Sequence, residues 1–282
     1  MKTALYYRIK KIVLNTLVHV LLLTIAATCV FPLLWMISSS FKTQEMIFKD
    51  MSLIPSRFHF ENYYLAWQEG GFGRYFLNSI FYTVAVVVGI VIISSLAAYA
   101  FSRLKFPGRN LLFFMFMAAM MIPLQGSFVA LYVLLQRLHL LDTRIGYILC
   151  MVNVGLSTSI FLLKTFFDKM PKELEDAARI DGCSKVGIWW HVALPLSKPV
   201  LAVVVVFNAL NVWNEYVLAL IIFNSKALMP LQVALTNFQG EFITRYPLLM
   251  AGLTLTALPI ILLYLLMQKY IVKGVMQGAL VG

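Results

Sequence analysis

The chain has 282 residues, of which 61% are hydrophobic and only 12% are charged. Soluble domains are about half apolar, so this composition excludes an ordinary soluble globular protein and indicates an integral membrane protein. A formal net charge of +11 would suit a nucleic-acid-binding protein. In a membrane protein, however, such an excess of positive charge is explained by the Lys and Arg residues that collect on the cytoplasmic side. No nucleic-acid partner is therefore expected.

Charged residues bound six apolar windows, each long enough for the roughly 20 residues of a spanning helix. The windows lie between Lys11 and Lys42, Arg74 and Arg103, Arg109 and Arg137, Arg144 and Lys164, Lys198 and Lys226, and Arg245 and Lys269. Barrel strands would alternate polar with apolar residues, and these windows do not. We therefore expect an all-α integral membrane protein with six transmembrane helices in a single domain over residues 1–282.

Six spans place both termini on the same side of the membrane. The tails and loops on that side carry 15 of the 23 Lys and Arg residues, and the opposite side carries eight. Positive charge collects on the cytoplasmic side. Both termini and the loop between Lys164 and Lys198 are therefore predicted to be cytoplasmic.

The first window admits a second interpretation, a cleavable signal peptide, because Lys10 and Lys11 precede it. Its uncharged run extends over about 30 residues. A signal-peptide core has only about 7–15 apolar residues. A retained membrane anchor is therefore the favoured interpretation.

Two segments interrupt the apolar pattern. The outward segment from Lys42 to Arg74 contains Pro55 and several glycines, and it is too short to fold independently. In the third window, Pro123 removes a helical hydrogen bond and Gly126 permits close approach of another helix. We predict a kink or break there, and both a cavity-lining role and simple packing remain open.

The loop between Lys164 and Lys198 contains a polar, small-residue stretch within an otherwise lipid-soluble chain. Asp168 could supply a capping carboxylate, acidic residues complement the helix dipole, and Gly182 offers a left-handed C-terminal cap. These features predict a short helix from Pro171 to Asp181. Such a helix is too short to be stable alone, so we expect it to pack on something.

One face of this short helix is suited to a protein partner. Leu174, Ala177, Ala178 and Asp181 are spaced i, i+3, i+4 and i+7, and the two alanines make the face narrow. A second amphipathic stretch follows and presents Trp189 and Trp190, which suit the membrane surface. An ordinary solvated loop is the alternative.

The fifth window carries an unusual number of polar groups. Asn208, Asn211 and Glu215 share one helical face, and Trp213 and Asn214 are adjacent. Polar groups that face lipid are costly, so this face should point into the bundle or into a passage. Amide and indole groups suit sugar hydroxyls, but they equally make hydrogen bonds between helices, and both roles remain open.

Other function classes find little support in the sequence. The chain has no G-x-x-x-x-G-K-[ST] phosphate loop, so it does not hydrolyse ATP by that route. Its four His and three Cys residues are scattered and give no catalytic cluster, disulfide framework or metal-ligand spacing. An ion-coupled carrier, which needs buried ionisable relays, has Glu215 as its one clear candidate within a span. A structural membrane scaffold is a further alternative.

The residues of this loop resemble the signature of a known family. The matching residues are Asp176-Ala-Ala-x-x-Asp-Gly182 and, after nine further residues, Val192-x-Leu-Pro195. They resemble the cytoplasmic signature of permease subunits of binding-protein-dependent ABC importers. The usual signature begins with Glu and has Ile before x-Leu-Pro, so Asp176 and Val192 are conservative departures. The wider stretch Pro171–Ser184 resembles the carbohydrate-uptake branch, which includes the maltose permease pair. Weaker similarities extend over nearly the whole chain.

The resemblance implies a coupling-helix loop at residues 165–198, between the fourth and fifth spans, that lies in a cleft of an ATPase subunit. The implied docking surface consists of Glu175, Asp176, Ala177, Ala178, Asp181 and Gly182. Asn208, Asn211, Trp213, Asn214 and Glu215 are the candidates, by residue type, for lining the substrate path or a gate, with hydrogen bonding between helices as the alternative.

The resemblance also implies the partners and the location. These are a second permease subunit in a heterodimer, two ATPase subunits that bind ATP and Mg²⁺, and an extracytoplasmic sugar-binding protein, in a bacterial cytoplasmic membrane. The chain itself would hold no cofactor or metal and catalyse no reaction. A glycerol-phosphate-type importer is the alternative within the family, but a phosphate ester would favour fixed cations, and the predicted spans contain none.

Overall fold

The computed structural model describes residues 2–121, 124–240 and 244–279. Over these ranges the chain is helical apart from loops and one isolated β-bridge between Gln239 and Thr244. The α-helices are α1 (Lys2–Ser40), α2 (Gln44–Lys49), α3 (Glu61–Glu69), α4 (Phe72–Arg103), α5 (Arg109–Ala119), α6 (Phe128–Arg137), α7 (Arg144–Lys169), α8 (Glu173–Ile180), α9 (Lys185–Ile188), α10 (Leu194–Leu196), α11 (Lys198–Asn214), α12 (Val217–Ile222), α13 (Leu231–Ala234) and α14 (Tyr246–Ala279). The prediction of an all-α membrane protein is confirmed.

Among the described residues, four helical segments are long and apolar enough to cross a membrane, and they coincide with the first, second, fourth and sixth predicted windows. They are Lys10–Ser40, Phe72–Arg103, Arg144–Lys169 and Tyr246–Lys269. A fifth candidate is the pair Lys185–Leu196 and Lys198–Asn214, which is bent by 79°. The count of six spans, and the single domain over residues 1–282, stay predictions.

The third window contains two shorter apolar helices, α5 and α6, separated by the 3₁₀ turn Leu124–Ser127. The predicted interruption of the helix is confirmed, although Pro123, to which it was assigned, lies outside the described residues. At Gly126, none of the described atoms would lie within 4 Å of an added Cβ, so the close approach of another helix at this glycine stays a prediction.

The residues group into two compact units, of which the first comprises Met1–Gly70 and Asn237–Leu255. In this unit Lys42 is 0% exposed, and its Nζ donates to the carbonyls of Asp50 and Ser52 at 2.7 and 2.6 Å. Asn62 Nδ2 donates to the carbonyls of Ser40 and Lys42 at 2.9 and 3.0 Å. Lys42, which the charge pattern treats as a flanking surface cation, is therefore a buried structural residue.

The two sequence-distant parts of the first unit are joined through polar contacts. Gln44 Nε2 donates to the Thr244 carbonyl at 2.9 Å, and the Tyr246 amide donates to Gln44 Oε1 at 3.0 Å. Arg245 forms an ion pair with Glu69, and its hydrogen bond holds the pKa of the Glu69 carboxyl below its usual value. Gln44 and Glu69, which lie between α1 and α4, are thus bonded to residues at or just before the start of α14.

The second unit comprises Gly71–Thr236 and Thr256–Gly282 and is built around α4. The α4 helix packs along α7 and α11. An aromatic cluster joins Tyr82, Tyr147 and Phe223, with ring centroids 4.7–5.8 Å apart. Close approach of the helices is possible because α7 carries Gly155, where a Cβ would lie 2.1 Å from Asn208 Oδ1 of α11 and 2.4 Å from Ile90 Cδ1 of α4.

One end of the second unit is closed by the segment 224–231, which follows α12. Asn78 Nδ2 donates to the carbonyls of Ala227 and Met229 at 2.9 and 3.0 Å. Asp142 Oδ1 accepts from the amides of Asn224 and Ser225 at 3.0 and 2.9 Å. Side chains of α4 and of the turn before α7 therefore satisfy the backbone of this segment.

Candidate functional site

The predicted loop helix is present as α8, and it ends as the sequence predicts. Gly182 has φ +84°, in the left-handed region. The Cys183 amide donates to the Ala178 carbonyl at 3.0 Å, and the Gly182 amide donates to the Arg179 carbonyl at 3.1 Å. This is the Schellman arrangement, in which a glycine closes the helix and satisfies its last carbonyls. Three acidic residues occupy the first turn, where they face the positive end of the helix dipole.

The start of α8 differs from the prediction. It begins at Glu173 after Lys172, and no side chain caps it. Asp168 does not cap α8, because its two oxygens accept from Lys164 Nζ and Ser102 Oγ, each at 2.7 Å. Asp168 therefore ties α7 to the end of α4.

The six docking-surface residues divide into two groups. Glu175 and Ala178 are 6% and 9% exposed and face the body of the second unit. The other four are exposed and are called here the exposed docking residues: Asp176, Ala177, Asp181 and Gly182. Ile180, beside them, is 87% exposed, which is unusual for a large apolar side chain and leaves an apolar group available to a partner.

Glu175 is tied to α4 and so is not free to contact a partner. Its Oε1 lies 2.6 Å from Arg103 Nε, and the Tyr99 hydroxyl donates to Oε2 at 3.4 Å. Arg103 Nε and Glu175 Oε1 have no aligned hydrogen bond despite this distance, so the contact is an ion pair.

The second amphipathic stretch folds as a continuous helical segment from Lys185 to Leu196. It contains one π-helical turn, Trp189–Ala193. Trp189 is buried at 7% exposure, whereas Trp190 is 56% exposed. Only Trp190 is therefore placed to meet lipid or a partner. The 79° bend before α11 turns the chain from this segment into the fifth window.

Asn208, on the polar face of α11, is a buried link between helices. It is 2% exposed, and its Nδ2 donates to Ser159 Oγ of α7 at 2.9 Å and to the Val204 carbonyl at 2.8 Å. This is the hydrogen bonding between helices that polar residues provide in membranes.

Trp213 and Asn214 also have partners within the chain. Trp213 is buried, its Nε1 donates to the Thr256 carbonyl of α14 at 3.0 Å, and its ring meets Phe76 edge to face at 5.8 Å. Asn214 Oδ1 accepts from Gln232 at 3.2 Å. Both side chains therefore hold α11 to its neighbours.

Glu215 lies at a break in the predicted fifth window. α11 ends at Asn214, Glu215 is extended with ψ 130°, and α12 starts at Val217. The Glu215 carboxylate accepts from the amides of Leu218 and Ala219 at 2.7 and 3.2 Å. It thereby satisfies two donors at the start of α12 that would otherwise lack partners.

Asn211, like Asn214, is exposed on α11. Of the residues predicted to line a path, these two are exposed, and Asn214 also accepts from Gln232. The path-lining role stays a prediction.

Comparison with known proteins identifies the family. Residues 89–277 match the family described as binding-protein-dependent transport system inner membrane component. The chain is a member of this family.

The permease is also similar to individual relatives over most of its length. It is 37% identical over 95% of its length to YurM of Bacillus subtilis, named a probable ABC transporter permease protein, and covers 89% of that protein. It is 32% identical over 92% of its length to the diacetylchitobiose uptake system permease protein NgcG of Streptomyces coelicolor, and covers 87% of it.

The fold of the permease has a counterpart among solved structures. A chain from the crystal structure of a bacterial ABC transporter involved in the import of the acidic polysaccharide alginate superposes with a TM-score of 0.82 at 25% identity. The superposition covers 92% of the permease and 96% of that chain. The relatives are permease subunits rather than enzymes, and the resemblance inferred from the loop motif is confirmed.

Sequence reasoning about the permease missed Arg103. Its position at the end of a span was counted only as a positive charge beside the membrane. Glu175 is 72 positions further along the chain, and no spacing rule connects residues so far apart. An Arg as the last residue of the long apolar helix α4 is the signal in the sequence that could have drawn attention to it.

Proposed function

We propose that this permease imports a sugar or oligosaccharide delivered by an extracytoplasmic binding protein. Family membership and the names of two relatives support this substrate class. NgcG is named for diacetylchitobiose uptake, and AraQ of Halalkalibacterium halodurans, 32% identical over 92% of this chain, is named for transport of arabinooligosaccharides.

The permease works as one half of a heterodimer with a second permease subunit, and two ATPase subunits supply the energy. ATP and Mg²⁺ are bound by the ATPase subunits, because this chain has no phosphate loop. In this arrangement the chain has six spans, and α5 and α6 together make the third. Both termini and the loop at 165–198 face the cytoplasm of a bacterial cell, which the excess of Lys and Arg on that side supports.

The observation that carries this proposal is the form of the α8 loop. An eight-residue helix is unstable alone, yet α8 is closed by a glycine cap and attached to the body through the ion pair of Glu175. Its opposite side presents the exposed docking residues together with Ile180. A fixed helix with small, acidic and apolar groups on its outer side suits a cleft in a partner protein.

Ion-coupled transport is disfavoured by the position of Glu215. Both oxygens of this carboxylate accept backbone amides of α12. A proton relay needs a carboxyl that exchanges protons, and the structural role at the start of α12 already occupies this one.

The test is a charge reversal in the exposed docking residues. We expect Asp181→Lys to insert into the membrane normally but to lose co-purification with the ATPase subunit, because the added cation and longer side chain disturb the docking contact. A matched reversal in the first unit, Glu45→Lys, should retain the ATPase subunit, since Glu45 is exposed and lies outside the loop. Equal recovery of the ATPase subunit with both variants would contradict the proposal.

A further inference from the structure

The end of α4 is joined to the α8 loop by a buried arginine. Arg103 Nε lies 2.6 Å from Glu175 Oε1, and Arg103 Nη2 donates to the Met170 carbonyl at 2.5 Å. The side chains of Arg103 and Glu175 are each only 8% exposed. One guanidinium therefore contacts both the segment that leads into α8 and the first turn of α8 itself.

Neighbouring residues of the same helical turn add to this junction. The Tyr99 hydroxyl donates to Glu175 Oε2 at 3.4 Å, and the Tyr99 ring meets Phe167 edge to face at 5.9 Å. Ser102 Oγ donates to Asp168 Oδ1 at 2.7 Å. The last turn of α4 is thus bonded to the end of α7, to the connecting segment and to α8.

A second ion pair of α8 provides a contrast. Asp176 and Arg179 are 3.0 Å apart, but their side chains are 62% and 63% exposed. Water screens the attraction in exposed ion pairs of this kind, so they contribute little to fixing the position of a helix. A buried pair is different, because loss of one partner leaves an uncompensated charge in a poorly solvated place. Of the two ion pairs, the Arg103–Glu175 pair is therefore the one that fixes α8 against α4.

The same helix reaches the opposite end of the second unit. α4 has 32 residues, and at about 1.5 Å per residue it is roughly 48 Å long. Near its start, Asn78 bonds the carbonyls of Ala227 and Met229. A displacement of the end of α4 at Arg103 can therefore be delivered to segment 224–231 through one continuous helix.

We propose that Arg103 is a positioning residue for transport, a role that rests on the proposed function: it makes α4 move together with α8 when the ATPase subunit displaces α8. Without the Arg103 contacts, α8 keeps, among the described residues, only the long Tyr99–Glu175 hydrogen bond as a polar link to α4, together with the packing of Ala178 and its backbone connections to α7 and α9. A displacement of α8 is then taken up by local rearrangement of the loop, and α4 no longer follows it.

Spin-label distances in the assembled complex test this role without knowledge of the transported sugar. The labels are placed at Lys105→Cys, just after α4, and at Ile180→Cys on α8, in a background where Cys29, Cys150 and Cys183 are Ser. Both labelled positions are exposed. Double electron–electron resonance is recorded without nucleotide and after trapping with ATP and vanadate. We expect the distance between the two labels to stay constant with Arg103 in place, and to change and broaden on trapping in Arg103→Gln.

The controls separate the possible outcomes. Arg179→Gln removes the exposed pair of the same helix by the same substitution, and it should keep the constant distance. If the distance between the two labels changes on trapping in the protein that retains Arg103, the proposal is overturned by that measurement alone. A constant distance in Arg103→Gln would also overturn it. If the ATPase subunit does not assemble with the unaltered permease, the proposed function fails and this role fails with it.

Discussion

Gly155 is a position at which a single added methyl group should disturb the packing of three helices. A Cβ at this residue of α7 would lie 2.1 Å from Asn208 Oδ1 and 2.4 Å from Ile90 Cδ1. Ordinary van der Waals contact begins near 3.4 Å, so both neighbours would have to move by about 1 Å or more. Asn208 cannot move in this way without loosening its bond to Ser159.

The cost of Gly155→Ala has two parts. Overpacking of a tight core costs about 1–3 kcal/mol. Loss of the hydrogen bond between Asn208 and Ser159 adds about 0.6 kcal/mol, the average for polar contacts between membrane helices. The total is roughly 2–4 kcal/mol, which lowers the melting temperature by about 5–10 °C in a chain of this size.

The assay is the thermal stability of the detergent-solubilised complex, followed by size-exclusion chromatography after heating. Gly126→Ala is the matched control, because no described atom lies within 4 Å of a Cβ there. We expect this control to melt within about 1 °C of the unaltered protein. If the two alanine variants melt together, the close contact of α4, α7 and α11 at Gly155 is refuted.

Three further predictions concern polar groups. Asn211→Leu should lower uptake by reconstituted vesicles while leaving assembly intact, whereas Asn208→Leu should lower assembly, because Asn208 bonds α11 to Ser159 of α7 and Asn211 is exposed. Equal effects of both changes on assembly would contradict this. Glu215→Ala removes two hydrogen bonds to the start of α12 and should destabilise the protein by about 0.5–2 kcal/mol in thermal unfolding. Glu215→Gln should destabilise it less. An unchanged melting temperature in Glu215→Ala would refute the capping role. The pKa of Glu69 is lowered by Arg245, so its contribution to stability is present above the ordinary glutamate pKa of about 4.3 and is lost as the pH falls through the lowered value. The difference in melting temperature between the unaltered protein and Glu69→Gln should therefore vanish in acid. A difference in melting temperature that grows in acid would contradict this prediction.

Structural features that depend on residues close together in the chain could be predicted from the sequence. Long uncharged windows permit few structures in lipid, so the spanning helices α4 and α7 could be placed from composition alone. The end of α8 was equally accessible, because Gly182 adopts a backbone conformation that other residues avoid. In each case the determining residues are neighbours in the chain.

Features that depend on distant residues were not accessible in this way. Glu175 was assigned to the docking surface, but the structure places it against Arg103, a contact that only the packing of α4 on the loop creates. The break at Glu215 carries no Pro or Gly, and the carboxylate that satisfies α12 looks in the sequence like any polar residue in a span. Lys42 was treated as a span boundary, yet its charge is buried among carbonyls of a segment that folds around it.

The most direct test of the account is cysteine crosslinking at two adjacent alanines of α8, since docking of this helix on an ATPase subunit is its central claim. Ala177 is exposed and Ala178 is only 9% exposed, so the pair differs in orientation but not in residue type. In a background where the native cysteines are Ser, Ala177→Cys should crosslink to the ATPase subunit through a short bifunctional reagent, and Ala178→Cys should not. Crosslinks from Ala178→Cys alone, or from neither position in the assembled complex, would contradict the account.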